Sequence, residues 1–324
     1  MTSTSARSGL RVRRIVSDNG ALGGLVGLVV VLSIVAPTFL SAQNLVNIGV
    51  QAAVVAVLAL GSTFVVISGG IDLSVGSVAA LSAMVGAWSS VEVGLPGPVA
   101  LLLGLATGVA AGLVNGALVS YGRLPAFIAT LAMLSVARGL TLVVSQGTPL
   151  TTPDVISFLG SNLGQYLPLP LMIMLGLFGL TALILARTYS GRAMYAIGGN
   201  SEAALLSGIN VHRQRLVSYV LSGLFAAVAG MMLAGRLSSA GPQAAIGYEL
   251  DAIAAVVIGG ASLSGGVGSA SGTLIGALVL AVLRNGLNQL QVSPFWQQVV
   301  IGVVIALAVL VDTLRRGSRG ANRQ

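Results

Sequence analysis

Uncharged apolar runs recur along this chain, among them Ala21–Leu40, Pro98–Ser120 and Phe295–Leu310. A helix of about twenty residues reaches ~30 Å, the thickness of a bilayer's hydrocarbon core. Of 324 residues, 55% are hydrophobic and 7% charged, whereas soluble domains carry about 25% charged residues. An ordinary globular protein is therefore excluded. The expected fold class is all-α: a polytopic membrane protein of about ten transmembrane helices with both termini cytoplasmic. A membrane β-barrel would need short alternating segments, and the sequence contains none.

The runs place spans near 21–40, 45–67, 71–90, 98–120, 125–144, 168–187, 216–236, 250–264, 268–284 and 295–313. Arginine clusters set their direction, because basic loops stay inside. With the N-terminus inside, thirteen of sixteen arginines fall on the cytoplasmic side, leaving Arg138, Arg236 and Arg284 toward the outside. The first run is too long for a signal-peptide core and no clean cleavage site ends it, so it reads as a retained span. The domain reading is a cytoplasmic tail over 1–20, a transmembrane domain over 21–313, and a basic cytoplasmic tail over 314–324. The span at 250–264 is short of a bilayer and is expected to be broken or re-entrant, sheltered by its neighbours. The outer segment 145–167 reads as turns with one short surface helix.

Composition removes several chemistries. The chain has no Cys and one His, so no disulfide or Cys metal site exists, and no metal or catalytic residue is expected. All sixteen basic residues are Arg. A phosphate-binding loop needs a Lys to reach nucleotide phosphates, so the chain supplies no such loop. If ATP drives this protein, ATP and Mg bind another polypeptide. The net charge of +8 follows membrane orientation rather than nucleic-acid binding.

Several polar residues stand out against the apolar background. Asp72, in GGIDLSVGS with Ser74, reads either as the cap of a helix beginning near Leu73 or as a gate on a substrate path. Asn115, Asn285 and Asn288 suit either a polyhydroxylated substrate or interhelical hydrogen bonds. Glu249 and Asp251 open the short span, as first-turn acids or as an outward acidic patch for a soluble partner. Glycines at spacing four, Gly104, Gly108, Gly112 and Gly268, Gly272, Gly276, suit close helix packing. His212 reads as a surface residue. VISGGIDLSVGS (66–77) and VIGGASLSGGVGS (257–269) echo one another, either as an internal repeat or through Gly/Ser composition alone.

Between the sixth and seventh spans, GNSEAALLSG has helix punctuation. Asn200 or Ser201 caps, Glu202 suits the first turn, Ala203, Ala204, Leu205 and Leu206 propagate, and Gly208 stops. Two turns are too short to hold alone in water, so this helix needs a surface to pack on.

The motifs SGGIDLSVGSV (68–78), GRLPAFIATLAML (122–134), GNSEAALLSGI (199–209) and AGP…GYELDAIAAVVIGGASLSGGVGS (240–269), in that order, resemble the permease of ribose/xylose-type ABC sugar importers, within the branched-chain amino acid/monosaccharide permease superfamily. The resemblance spans about 45–313. It implies about ten helices per subunit, a paired permease (a second copy or a paralogue), separate cytoplasmic ATPase subunits and an extracytoplasmic sugar-binding protein. Asn200 to Gly208 corresponds to the coupling helix that docks on the ATPase. The runners-up are a branched-chain amino acid ABC permease and an ion-coupled secondary transporter. The latter would be expected to place acids mid-span, whereas most acids here sit at span ends.

Overall fold

The structure, a computed structural model, describes residues 20–163 and 167–321. Residues 1–19 of the expected 1–20 tail, and Arg323 of the expected basic tail, lie outside these residues. The fold is a helical bundle. Its helices are α1 (Gly20–Val35), α2 (Ala42–Ile67), α3 (Val75–Val91), α4 (Gly97–Ser120), α5 (Ala126–Ser145), α6 (Asp154–Leu159), α7 (Leu169–Arg187), α8 (Tyr189–Gly199), α9 (Ser201–Leu206), α10 (Val211–Leu237), α11 (Tyr248–Ile258), α12 (Ala270–Gln289) and α13 (Pro294–Ala321). Four two-residue strands, β1 (Leu150–Thr151), β2 (Asn162–Leu163), β3 (Leu167–Pro168) and β4 (Ser239–Ala240), form two antiparallel pairs, β1 with β4 and β2 with β3. Among the described residues six helices are long and apolar enough to cross a membrane: α2, α4, α5, α7, α10 and α12.

These six differ in what surrounds them. Helix α2 is apolar on every side and is almost wholly buried, as expected of a helix without a polar face. Helices α4, α5 and α7 bury only about a quarter of their apolar surface-forming stretch, 28%, 22% and 22%. Their large apolar side chains, Leu102, Val143 and Leu183 among them, point outward. The bundle thus has a core of α2, α3, α10 and α11 inside a greasier ring.

Lipid tails supply no hydrophobic force between helices, so close contact and dispersion must hold them together. The glycines do this. Gly108 of α4 and Gly223 of α10 lie back to back, and a methyl on either would overlap the other's carbonyl oxygen. Gly112 abuts Tyr219 and Gly104 abuts Met231 in the same seam. On α12, Gly272 and Gly276 lie against Gly259 and Ala255 of α11 in the same manner. The expected packing role is what the structure shows for Gly104, Gly108, Gly112, Gly272 and Gly276, whereas Gly268 precedes α12 and lies against Ile67 and Ala261. Between α2 and α10, Phe64 and Phe225 meet edge-on with centroids 5.8 Å apart.

The short span is shorter than expected. Helix α11 has 11 residues, or about 16 Å, and ends at Gly259 and Gly260, the latter with φ of +88°. The chain beyond it runs as irregular backbone to Ser269, with Ala261 and Ser262 buried. That backbone is tied down by Ala261 N–H to Val256 O at 3.1 Å and Ser262 N–H to Val267 O at 2.9 Å. Its buried residues are thus satisfied within the protein, while Gly260, Ser264, Val267 and Ser269 are exposed at the end of the bundle.

Two further points bear on expectation. The helix expected in the 145–167 segment exists as α6 and lies at the surface, with Asp154 and Phe158 exposed, anchored by Ile156, which is fully buried among Met84, Met231 and Ala234. The segment 188–215 holds two helices rather than one, because α8 precedes α9.

Candidate functional site

Contacts sort the loops onto two ends. At one end lie the α2–α3 loop, the α4–α5 turn, α8, α9 and the α11–α12 loop, together with Arg123, Arg187, Arg192, Arg213 and Arg215. At the other lie residues 146–163 and 167–168, the α10–α11 connection and the starts of α2 and α7. Each sequence-singled residue has a definite place on this frame.

Asp72, Ser74 and Asn115 come together. Asp72 is 3% exposed, and its Oδ1 accepts from Ser74 N–H at 3.0 Å and Ser74 Oγ at 2.6 Å. Its Oδ2 accepts from Ser222 Oγ of α10 at 2.8 Å. Asn115 Nδ2 of α4 donates to Ser74 Oγ at 2.9 Å. Helix α3 starts at Val75, close to the expected Leu73, and Asp72 satisfies the amide of the N-cap Ser74 rather than a first-turn amide. The carboxylate therefore ties the α2–α3 loop to α10 and, through Ser74, to α4. Sequence reasoning missed Ser222, and also Ser68 with Ser218, whose hydroxyls meet at 3.1 Å beside this junction. Their signal was faint, since serine in an apolar helix usually bonds its own backbone. Asn115 Oδ1 has no hydrogen-bond partner among the described residues.

Asn285 and Asn288 lie elsewhere, at the opposite end. Asn285 exchanges two amide hydrogen bonds with Asn44 of α2, at 2.8 and 3.0 Å, and accepts from Gln289 Nε2 at 3.3 Å. Asn288 Oδ1 accepts from Gln297 Nε2 at 2.7 Å. Both are helix-to-helix ties, of α12 to α2 and α13, as one of the two sequence readings held.

The outward acidic patch is corrected by geometry. Asp251 is 4% exposed and forms an ion pair with Arg284 of α12 at 2.7 Å. Glu249 Oε1 accepts from Gly247 N–H at 3.2 Å, while its buried Oε2 has no partner among the described residues and lies against Gly76. Burying an acid without a partner is costly. Helix α11 therefore turns Asp251 inward to the guanidinium, and the exposed residue of the turn is Leu250. His212 is exposed as expected. It stacks on Tyr121, with centroids 5.5 Å apart, and its Nδ1 contacts Ser120 O.

The 200–208 helix is built as punctuated. Asn200, not Ser201, caps it, its Oδ1 accepting from Glu202 N–H and Ala203 N–H, each at 3.0 Å. Gly208 stops it with φ of +82°, a left-handed conformation that suits glycine. Only Ala204 is buried, packed with Ile197, Ile209 and Val211. Glu202, Ala203, Leu205 and Leu206 face outward, Leu206 at 89% exposure.

Helix α8 supplies the surface that α9 needs. Thr188 caps it through a bond from Gly191 N–H at 3.1 Å, and Ala193, Met194 and Ile197 are buried. Tyr195 donates its hydroxyl to Gly268 O at 2.7 Å. Burial pushes that hydroxyl's pKa up, so it stays a donor. Gly198 is wedged where Gly266 N–H bonds Ile67 O at 2.9 Å, and a side chain there would strike both. The two echoing Gly-rich segments thus touch each other, with α8 laid across their junction. The apolar spacing of residues 193, 194 and 197 was legible in the sequence but was overshadowed by GNSEAALLSG.

Groups of three or more metal-ligating side chains are absent among the described residues. What the geometry defines is a bundle of membrane-length helices with buried polar ties at two levels, and a short helix carried outside it. Residues 44–309 match the family model described as branched-chain amino acid transport system/permease component, and the chain belongs to that family. It is 46% identical over 304 residues to the Ribose import permease protein RbsC of Escherichia coli (strain K12), covering 92% of this chain and 94% of that protein. To the protein of the same name from Bacillus subtilis (strain 168) it is 47% identical, covering 90% and 92%. The Xylose transport system permease protein XylH of Escherichia coli (strain K12) is 37% identical, covering 85% and 86%. The chain is a transporter component and a multi-pass protein of the inner membrane.

Proposed function

We propose that this chain is the membrane-spanning permease subunit of an ATP-driven importer that carries a ribose- or xylose-like monosaccharide into the cytoplasm. Likeness to three proteins named for ribose or xylose transport, over 85% or more of this chain, supports the sugar class. The six long helices, with α1, α3, α11 and α13, make ten spans that alternate between the two ends, and α6, α8 and α9 stay outside that count. The arginine-rich end faces the cytoplasm, since basic segments are retained there. A sugar-loaded binding protein docks on the opposite face, a second permease subunit completes the path, and a separate ATPase binds ATP and Mg.

The observation that carries the coupling role is the exposure of Leu205 and Leu206 on a capped helix whose support, α8, is wedged into the core. A six-residue helix with an apolar outer face is a poor surface for water and a good one for a partner's groove. Force on α9 passes through α8 to Gly198, and from there to the loops that hold Asp72 and end α11. No bond is made or broken in this chain, and a partner moves it only by binding two arrangements with different strength.

The test is Leu206→Asp together with Glu202→Arg. The expected result is at least a tenfold loss of sugar uptake and loss of ATPase co-purification, with the permease still monodisperse and thermally unchanged. Uptake and co-purification at wild-type levels would overturn the coupling assignment.

A further inference from the structure

A cavity of about 380 Å³ opens at the arginine-rich end, apart from the Asp72 hydrogen bonds and from α9. Its wall includes Ser120, Arg123, Ala126, His212, Arg215 and Tyr219, and the Ser68–Gly70 turn closes one side. That volume lies within the range of small-molecule sites, roughly 300–1,000 Å³.

The chemistry of the wall has one sign. No Asp or Glu lines the cavity. Among the described residues the one ion pair is Asp251 with Arg284, so neither Arg123 nor Arg215 is neutralised by a carboxylate. Two helices begin at the cavity. His212 and Arg215 lie in the opening turns of α10, and Ala126 is the first residue of α5, whose N-cap Pro125 makes no side-chain bond to the first-turn amides. The partial positive charge of each helix start adds to that of the guanidinium groups.

A polar atom is also left waiting for a partner. Ser120 is 2% exposed, and its Oγ has no hydrogen-bond partner among the described residues. A buried hydroxyl without a partner costs free energy unless a ligand or water supplies one. The carbonyl of Ser120 faces His212 Nδ1. A carbonyl only accepts, so Nδ1 donates to it and fixes the ring against the α4–α5 turn. Two guanidinium forks, a hydroxyl and two helix starts match the oxygens of a phosphate group, which guanidinium binds through paired hydrogen bonds.

We infer that the cavity between the α4–α5 turn, the Ser68–Gly70 turn and the start of α10 is a binding site for a phosphate group, carried by a soluble phosphomonoester or by a lipid headgroup. An occupant adds a further bridge between three segments already joined by Ser68 with Ser218, His212 with Ser120 O and Tyr219 with Ile71 O, so it reinforces this arrangement of the bundle. The inference rests on the fold and the wall chemistry and stands whether or not the transport reading does.

The test uses the purified full-length chain in nanodiscs of phosphatidylcholine alone. Inorganic phosphate and ribose 5-phosphate are titrated while binding heat and thermal midpoint are followed. A parallel series replaces part of the lipid with phosphatidylglycerol. Saturable binding of the soluble phosphates assigns the first source. A midpoint rise confined to phosphatidylglycerol discs assigns the second. In either case Arg123→Gln with Arg215→Gln weakens the effect at least about tenfold, as expected for losing two charge-assisted contacts, while Arg192→Gln leaves it unchanged. Should the double variant fail to fold, Ser120→Ala and the single Arg123→Gln are measured instead, each expected to weaken binding threefold or more. No saturable effect from either source, or an effect that these variants leave intact, would overturn the site.

Discussion

Two buried carboxylates, Asp72 and Asp251, show two ways of keeping an acid inside a bundle made for lipid. Asp251 sits on α11 and meets a guanidinium 2.7 Å away, so charge is answered by charge. Asp72 sits in the α2–α3 loop and is answered by one amide and two hydroxyls. The first arrangement ties one pair of helices, α11 and α12. The second is a hub, reaching α10 through Ser222 and α4 through Asn115. A rigid ion pair suits a strut, while a carboxylate held by small hydroxyls can exchange donors with little rearrangement. On the proposed coupling route, that difference makes Asp72 the candidate for the joint and Asp251 the candidate for the strut.

The comparison breaks most visibly at Asp251. Asp251→Ala leaves Arg284 partly buried and unpaired, and should cost roughly 3 kcal/mol, the low end for stripping one partner from a buried pair because Arg284 is partly open to solvent. The thermal midpoint in detergent reads that loss, and adding Arg284→Leu should recover most of it. No recovery would mean that the pair is not what holds α11 to α12.

Asp72→Ala should come next, at about 2 kcal/mol, since it strands three donors inside the bundle. Asp72→Asn keeps one acceptor oxygen and should cost about half as much in stability. If Asp72 belongs to the moving joint, Asn will nevertheless depress sugar uptake more than its small midpoint shift explains. Uptake that tracks the midpoint alone would reduce Asp72 to a second strut. Ser222→Ala sharpens the same point at the smallest scale. Loss of one hydrogen bond to a carboxylate should cost about 1–2 kcal/mol, with the ties to Ser74 and Asn115 still in place.

Part of the arrangement was legible beforehand. Apolar runs gave nearly every membrane-length helix because the bilayer demands that length and that composition. The cap and stop of α9 were readable because Asn200 and Gly208 act within a few residues of themselves. The pairings were not readable. Asn115 and Asn285 look alike in sequence, yet one joins the Asp72 hub and the other bonds Asn44 at the opposite end. Glu249 and Asp251 were equally plausible as an outer patch, and helix rotation turned Asp251 inward. Ser222 and Ser218 gave no usable signal, since a serine in an apolar helix looks the same whether it bonds its own turn or a neighbour's carboxylate. The echo of the two Gly-rich segments showed that they were similar but not that they touch under α8.

The sequence by itself determined the solvent, the class and the local punctuation: lipid-length runs, arginines on one side, no lysine for a nucleotide loop, and a capped two-turn helix between the sixth and seventh spans. Those features depend on neighbours along the chain and on the dimensions of a bilayer. The tertiary structure alone decided which polar groups meet, that α8 carries α9, and that unpaired arginines share a cavity with an unpartnered serine. Such pairings join residues up to 150 or 241 positions apart, and only the rotation and depth of each packed helix bring them together.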